Sequence, residues 1–432
     1  MTMDWRRSVA QVAGTVVIGL TAGLVAVLFH KAMVWLAKWL VDGPSQWPGW
    51  MFALAVLTSM AVAAFTTGVL MKRFAPDAPG SGIPQVKAAY HNGKLDFSWN
   101  LIWVKFVGGA LSIGSGSSLG REGPTIHIGA AIASKVAKFL GDDPAARANA
   151  VCAGSAAGLA AAFSSPLAGV TLVLEEIAGG KNQNKFAGRS LLAAALAASV
   201  VYALSRGAAC LPIGPVVEMN MKVLWLSPVV AVVAGAAGLL FQWSTLALRA
   251  RCKRSAISGP VRLALGAVAG GVFAFAAFKL TGRLGGFGLG EEDLLAALRG
   301  EILWPVALCL LVAKIAATSA CYGSGGCGGI FAPVIFFGAM AGVLVHGLTA
   351  PWLGLTSGDQ TLLALVGMTA CLGAVVRAPL TSILIVMEMT WQIHALPALM
   401  VAAVISVFMN RFCFAGNFYD EVLRQDGIVL KD

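Results

Sequence analysis

Charged residues are scarce in this chain of 432 residues, because Asp, Glu, Lys and Arg together make up 12% of it against 58% hydrophobic residues. Its mean hydropathy of +0.80 lies outside the range that is usual for soluble proteins. This composition excludes a soluble globular protein and predicts a polytopic α-helical membrane protein. Apolar stretches long enough to cross a bilayer occur at Val12–Leu28, Met51–Leu70, Val223–Leu248 and Leu303–Ala320.

The sequence also lacks the patterns of metal sites, disulfide frameworks and common hydrolases. Its eight cysteines contain no CxxC pair, and its histidines are isolated from one another, at His30, His91, His127, His346 and His394. We therefore expect buried or interfacial side chains here, with no metal and no cofactor. No HExxH motif or nucleophile elbow is present, so an intramembrane enzyme that uses Glu122 and a histidine is only a distant alternative.

Acidic residues are fewer than basic ones, 20 against 31, which gives a net charge of +11. The basic residues stand at the ends of apolar segments, at Arg6, Arg7, Lys72, Arg73 and in the loop 249–254. This distribution of basic residues indicates membrane topology and contact with anionic lipid, and not nucleic-acid binding. It also predicts that the N-terminus is cytoplasmic.

The sequence shows no cleavable signal pattern, and thirteen residues follow Tyr419 (432 − 419). Both features predict short cytoplasmic tails without a regulatory domain.

Two segments of the chain are versions of one another. Gly114–Pro124 matches Gly323–Pro333 at a constant offset of 209 (333 − 124), and the same offset pairs Lys105 with Lys314. A second match, at an offset of 213 (388 − 175), relates Gly154–Glu175 to Gly367–Glu388. We therefore predict one transmembrane domain over 1–432, with a first repeat at about 10–205 and a second at about 223–412.

Three motifs place glycine-rich backbone directly before a proline, at Gly80–Pro84, Gly120–Pro124 and Gly329–Pro333. Each predicts a helix that begins inside the membrane, with free backbone donors and roughly half a positive charge at its N-terminus. Broken helices at equivalent positions of two repeats are typical of a transporter binding site. Three helix starts directed to one place would bind an anion. The second motif fits neither a phosphate-binding P-loop nor a dinucleotide fingerprint.

These three motifs, GSGIP, GREGP and GIFAP, make the chain resemble the CLC family of chloride channels and chloride/proton antiporters, in its prokaryotic form without C-terminal CBS domains. The resemblance extends from the first apolar segment to Tyr419. It implies an all-α polytopic membrane fold of two inverted-topology repeats with broken, Gly/Pro-interrupted helices. It also implies a homodimer in which each subunit has its own anion pathway.

The resemblance assigns anion-binding roles to specific positions. Ser81 and Tyr419 would offer their hydroxyl groups, and Ile330 and Phe331 would offer backbone N–H groups. Neutral donors of this kind bind chloride without holding it too tightly to leave. Further backbone along the anion pathway would come from Gly82, Ile83, Arg121 and Gly123.

Two glutamates would carry protons. Glu122 matches the family's external gating glutamate, and the duplication aligns it with Phe331, so that only one repeat has an acid here. An acid at the mouth of an anion site replaces the anion when ionised and leaves when protonated. By resemblance, Glu176 is the internal proton-transfer glutamate, whereas Glu175 has a repeat partner in Glu388 and is expected to serve the shared scaffold.

The sequence thus predicts secondary active transport of chloride in exchange for protons, with Glu122 competing with chloride for the pore site. The alternative is a passive, voltage- or pH-gated chloride channel of the same family. The expected partners are chloride, protons, the lipid bilayer and a second copy of the chain. The expected location is a prokaryotic inner membrane.

Overall fold

The computed structural model describes residues 5–179, 183–205, 211–214 and 217–431, and within them all regular structure is helical. The first half contains α1 to α8, which span Trp5–Ala37, Gly49–Phe74, Ile83–Asn92, Trp99–Gly114, Glu122–Phe139, Pro144–Phe163, Pro166–Leu172 and Gln183–Leu204. The second half contains α9 to α16, which span Met221–Arg254, Gly259–Thr281, Glu291–Leu298, Trp304–Gly323, Phe331–Leu353, Ser357–Val376, Pro379–Thr390 and Leu396–Cys413. A last helix, α17, spans Phe418–Gln425.

Short irregular helices join some of these elements. Lys38–Asp42 continues α1 as a π-helix and Val173–Ile177 continues α7 in the same way, while Pro44–Gln46 and Ile393–Ala395 are 3₁₀ turns. Within the described part of the chain, nine helical segments are long and apolar enough to cross a membrane. The predicted spans lie in α1, α2, α9 and α12. The chain is therefore a multi-pass integral membrane protein, as its composition predicted.

The two halves repeat the same helix contacts. Gly129 of α5 packs so closely on α6 that a Cβ placed on it would lie 2.3 Å from the carbonyl oxygen of Gly154. A Cβ placed on the equivalent Gly338 of α13 would lie 2.2 Å from the carbonyl oxygen of Gly367 in α14. Only glycine permits backbones to approach this closely, which is how helices commonly associate in membranes.

A pair of reciprocal contacts relates the halves by an approximate two-fold axis. The Glu175 carboxylate accepts hydrogen bonds from the backbone N–H groups of Leu380 and Thr381, at 3.0 and 2.8 Å, at the start of α15. The Glu388 carboxylate accepts from the equivalent groups at the start of α7, 3.0 and 2.9 Å away. Each repeat thus caps a helix of the other, and the scaffold role predicted for Glu175 agrees with this geometry.

Where the second and third motifs meet, the two repeats contact one another through equivalent glycines. The N–H of Gly120 donates to the carbonyl of Gly329 at 2.7 Å, and the N–H of Gly329 donates back to Gly120 at 2.6 Å, as an antiparallel pair. α5 and α13 therefore start close to one another. The predicted fold class, all-helical with inverted repeats and broken helices, is confirmed, while the exact repeat bounds remain predictions.

We expect Gly129→Ala to destabilise the fold, because the added methyl would clash with the Gly154 carbonyl in a contact between two rigid helices. Overpacking of this kind costs about 1–3 kcal/mol. Thermal unfolding in detergent would measure the change. Gly188→Ala in α8 is the matched control, since a Cβ there meets no atom within 4 Å. Equal melting temperatures for the two variants would contradict the packing argument.

Candidate functional site

The three glycine-rich motifs, which are far apart in sequence, meet at one place. The N–H of Gly80 in the first motif donates to the carbonyl of Gly326, just before the third motif, at 3.0 Å. A Cβ placed on Gly123 of the second motif would lie 2.5 Å from the Ser81 hydroxyl oxygen and 3.0 Å from the Cα of Gly329. The predicted convergence of three helix starts is therefore present in the fold.

Each motif is followed by a helix N-terminus. α3 begins at Ile83, α5 at Glu122 and α13 at Phe331. Proline directly after a glycine-rich break is expected at the first helical position, but here the prolines occupy the second or third position. The difference has a simple cause, since none of the first four N–H groups of a helix has an acceptor within it, so proline is tolerated throughout the first turn.

The Glu122 side chain is fully buried and occupies the space between the second and third motifs. Its Oε1 atom accepts a hydrogen bond from the backbone N–H of Phe331, the first residue of α13, at 2.6 Å. A Cβ placed on Gly120 or Gly329 would lie 2.3 or 2.0 Å from this carboxylate. A side chain at either position would have to displace the carboxylate, because the carboxylate takes the volume that an added Cβ would need.

Arg121 precedes Glu122 but reaches other groups. Its guanidinium forms an ion pair with Glu291 at 3.2 Å, donates to the Ala162 carbonyl at 3.0 Å and contacts the ring of His30. Glu291 is the first residue of α11, and its side chain is 40% exposed. Arg121 thereby ties the start of α5 to three other elements of the fold.

Three buried hydroxyl groups lie next to the first motif or the start of α13. Ser81 belongs to the first motif, and the Tyr419 ring lies 6.3 Å from the ring of Phe331. The third belongs to Tyr322, which was not among the residues expected at the site. Its hydroxyl oxygen would lie 3.5 Å from a Cβ placed on Gly80. Within the described residues, none of these three oxygens has a hydrogen-bond partner. Buried polar groups without partners are uncommon and are available to bind a ligand.

No local signal marks Tyr322. It stands in an apolar helix end, Ser319-Ala320-Cys321-Tyr322-Gly323, where an aromatic residue normally belongs to the core. Its ring does pack against Phe418, with ring centroids 5.3 Å apart. Only the folded chain brings the phenol against the first motif.

Two buried lysines hold one loop in each repeat. Lys105 donates to the carbonyls of Ala78 and Gly80, both at 2.7 Å, just before α3. Its repeat partner Lys314 donates to the carbonyls of Phe287 and Gly288, at 3.2 and 2.8 Å, before α11. These ammonium groups satisfy carbonyls that no helix can pair, so they position the loops and do not line the central site.

Glu176 lies apart from the three motifs, in the π-helical segment that continues α7. Its side chain is 2% exposed and its two oxygens contact Lys87 at 3.0 Å and Asn417 at 2.6 Å. Glu175 points instead to α15, so the two adjacent acids have different environments. No local pattern marks Lys87 or Asn417 as partners of Glu176, because each is separated from it by many residues of sequence.

The remaining polar residues agree with the expectation of packed side chains. Both ring nitrogens of His127 are buried without a partner, and the ring edge contacts Phe97. His91 contacts the Ile177 carbonyl at 3.1 Å, and His346 contacts the Thr356 carbonyl at 3.0 Å.

The seven cysteines among the described residues are free thiols. These residues contain no group of three or more His, Cys, Asp or Glu side chains able to hold a metal ion. Cys210 lies outside the described residues.

The sequence profile described as voltage gated chloride channel matches residues 63–411. The chain belongs to the CLC family. The match covers all three motifs, Glu122 and Glu176.

Similar CLC proteins are transporters by name. The H(+)/Cl(-) exchange transporter ClcA of Cronobacter sakazakii is 30% identical over 414 residues, which cover 94% of this chain and 87% of that protein. ClcA of Vibrio cholerae is 31% identical over 419 residues, covering 95% and 88%. The crystal structure of a slow cyanobacterial Cl⁻/H⁺ antiporter superposes with a TM-score of 0.85 at 25% identity, covering 96% of this chain and 98% of that one. A CLC-type fluoride/proton antiporter shares the fold, with a TM-score of 0.82 at 22% identity, covering 98% and 99%.

We expect Gly329→Ala to drive the Glu122 carboxylate off the Phe331 N–H, because the new methyl would lie 2.0 Å from Oε1. An experimental structure of the variant would measure the distance from Oε1 to the Phe331 nitrogen, which should rise beyond hydrogen-bond range. Gly323→Ala is the control, since its Cβ meets only the flexible Leu248 side chain, at 3.1 Å. An unchanged Glu122 position in Gly329→Ala would refute the argument.

Proposed function

We propose that this CLC protein is a chloride/proton antiporter. The observation that carries the proposal is the position of the Glu122 carboxylate, which accepts the N–H of Phe331 at the start of α13. A negatively charged oxygen at a helix N-terminus occupies the place that a bound anion would take. The exchange activity in the names of the ClcA relatives and of the cyanobacterial structure supports the same conclusion.

The chloride pathway runs through the meeting point of the three motifs. The hydroxyls of Ser81 and Tyr419 and the backbone N–H groups of Ile330 and Phe331 bind the ion, and Gly82, Ile83, Arg121 and Gly123 contribute backbone along the route. Both hydroxyl oxygens are buried and have no partner among the described residues. Neutral donors attract chloride but let it leave, since no full positive charge holds it.

Proton coupling follows from competition at one position. Ionised Glu122 occupies the N–H of Phe331 and excludes chloride from it, whereas protonated Glu122 loses its attraction for that helix start and vacates it for the ion. Glu176 passes protons between Glu122 and the opposite side of the membrane. It is buried and lies on a different element from the three motifs, so the proton route and the anion route share only their outer part.

The runner-up function is a passive chloride channel of the same family, in which Glu122 only gates. The buried Glu176, held by Lys87 and Asn417, favours exchange because a channel has no use for an acid there. An intramembrane enzyme is disfavoured by family membership, since the family profile and the named relatives describe proteins that move ions.

We propose the following setting for the exchanger. It is a homodimer in which each subunit carries its own pathway, in the inner membrane of a prokaryote, with both termini in the cytoplasm. Large apolar side chains are exposed along one stripe of α16, at Met400, Val404, Phe408 and Phe412, and this stripe fits a membrane or a second copy of the chain.

Flux in liposomes tests the function. Purified protein would be placed in vesicles with a chloride gradient, and chloride and proton movement would be recorded together. Protons driven uphill by chloride would support exchange. Chloride movement without protons would favour the channel, and the absence of any anion movement would favour a function of another class.

We expect Glu122→Gln to retain chloride flux and to lose proton coupling. The amide can be neither ionised nor protonated in the relevant range, so it cannot alternate between competing with chloride and releasing the site. The readout is the ratio of chloride to proton flux in the same vesicles. Chloride-driven proton transport in Glu122→Gln would show that Glu122 is not the gating residue that couples chloride to protons.

We expect Glu176→Gln to lose proton transport while Glu122 still reaches its position on Phe331. Glu175→Gln is the matched control, because its carboxylate caps α15 and lies outside the proton route. Proton flux should fall to the background of empty vesicles in the first variant and persist in the second. If Glu176→Gln remains fully coupled, Glu176 is not the internal proton-transfer residue.

A further inference from the structure

The buried Glu176 carboxylate is joined to a second acid, Asp420, by two shared partners. Lys87 donates from Nζ to Glu176 Oε1 at 3.0 Å and to Asp420 Oδ1 at 2.6 Å. Asn417 donates from its amide to Glu176 Oε2 at 2.6 Å and from its backbone N–H to Asp420 Oδ2 at 3.2 Å. All four carboxylate oxygens are thus engaged by the same two residues, Lys87 and Asn417.

Exposure rises along this cluster. The side chain of Glu176 is 2% exposed, that of Lys87 is 10% exposed and that of Asp420 is 37% exposed. A proton on its way to Glu176 can therefore enter through a group of the cluster that reaches water. Asp420 is the titratable member of the cluster that does so.

The two acids are close enough to exchange a proton. Because their oxygens lie 3.0 and 2.6 Å from the same Lys87 nitrogen, they are less than about 6 Å apart. That gap can be closed by direct contact or by a single water molecule, which is the reach that proton transfer requires.

The net charge of the Glu176, Lys87 and Asp420 cluster favours the binding of one proton. Two carboxylates share one ammonium group, so the ionised cluster carries one uncompensated negative charge until a proton neutralises it. The other charged or titratable groups on the packed elements include Glu175 in the π-helical segment, Tyr90 and His91 in α3, Arg377 after α14, and Tyr419, Glu421 and Arg424 in α17. Glu421 is paired with Arg424, and Glu175 caps α15, so neither competes for the same proton.

We propose, on the basis of the function proposed above, that Asp420 is the residue that takes protons from water for Glu176, and that Lys87 positions the two acids. A proton from water binds the Asp420 carboxylate and forms an O–H bond. That bond breaks as the proton moves to a Glu176 oxygen, which leaves Asp420 ionised for the next proton. The steps reverse when transport runs in the other direction.

Lys87 acts in this scheme without giving up a proton. Its ammonium group is the fixed charge that holds both carboxylates and keeps two like charges from separating. It belongs to α3, which begins just after Ser81, while Asp420 directly follows Tyr419. The proton route therefore starts beside the two anion-binding hydroxyls but uses different side chains.

The experiment compares Asp420→Asn with the unchanged chain in liposomes, with proton flux and chloride flux recorded together. Asparagine keeps an oxygen for Lys87 or for the Asn417 N–H but cannot bind a transported proton. We expect proton flux to fall about tenfold with a raised chloride-to-proton ratio. Chloride affinity by calorimetry should stay unchanged, and Asp420→Glu should restore coupling.

Asp426→Asn is the control. Asp426 also joins α17 to its surroundings, through Arg249 at 2.7 Å, but it does not contact the Glu176 cluster. If Asp426→Asn slows proton flux as much as Asp420→Asn does, the effect comes from loosening α17 and the proposal is wrong. Proton flux in Asp420→Asn equal to that of the unchanged chain would also overturn it.

A second variant tests the positioning role of Lys87. In Lys87→Gln the two acids lose their shared cation and hold a proton more tightly, so half-maximal proton flux should move to higher pH. A merely structural role would lower the flux at every pH without moving this profile. An unmoved profile would overturn the assignment to Lys87.

The outcomes also separate this proposal from the exchanger function itself. If Glu176→Gln loses proton transport and Asp420→Asn does not, the proton-uptake role of Asp420 fails and the exchanger function stands. If the unchanged chain moves chloride without protons, the proposed function fails first. The role of Asp420 then fails with it.

Discussion

The structure depends on one constraint, which is that backbone groups at membrane depth must all find partners although several helices begin there. At the centre, Gly120 and Gly329 solve this for each other by exchanging two hydrogen bonds across the approximate two-fold axis. That exchange brings the starts of α5 and α13 together. It leaves the N–H of Phe331 free for an anionic oxygen, and in this structure the Glu122 carboxylate takes it.

Residues that are equivalent in the two repeats build the scaffold, whereas the ionisable group at the centre is present in only one repeat. Lys105 and Lys314 hold equivalent loops, and Glu175 and Glu388 cap equivalent helices. Glu122, in contrast, has Phe331 as its counterpart. A carboxylate in only one half gives the site a single group that can be ionised or neutral. Two facing acids would repel one another and would leave no helix start free for chloride.

Glu176, the acid proposed for internal proton transfer, lies beside the three glycine-rich motifs and not among them. Glu176 lies at the end of a π-helical segment, where one extra residue per turn redirects the side chains. There it meets Lys87 from α3 and Asn417 at the start of α17. Helix α3 begins just after Ser81, and helix α17 contains Tyr419. Glu176 is thereby joined to two elements that lie next to the hydroxyls proposed to bind the anion.

The sequence by itself determined the class, the duplication and the broken helices, because these follow from local properties: apolar length, glycine freedom and the missing N–H of proline. It also singled out Glu122, since the repeat alignment exposes an acid where its partner has Phe331. Only the tertiary structure decided what these residues touch. The contact of Glu122 with the Phe331 N–H, the phenol of Tyr322 beside Gly80, and the bridge from Glu176 through Lys87 to Asp420 join residues from distant parts of the chain. Such contacts are set by how the helices pack, and no local pattern encodes them.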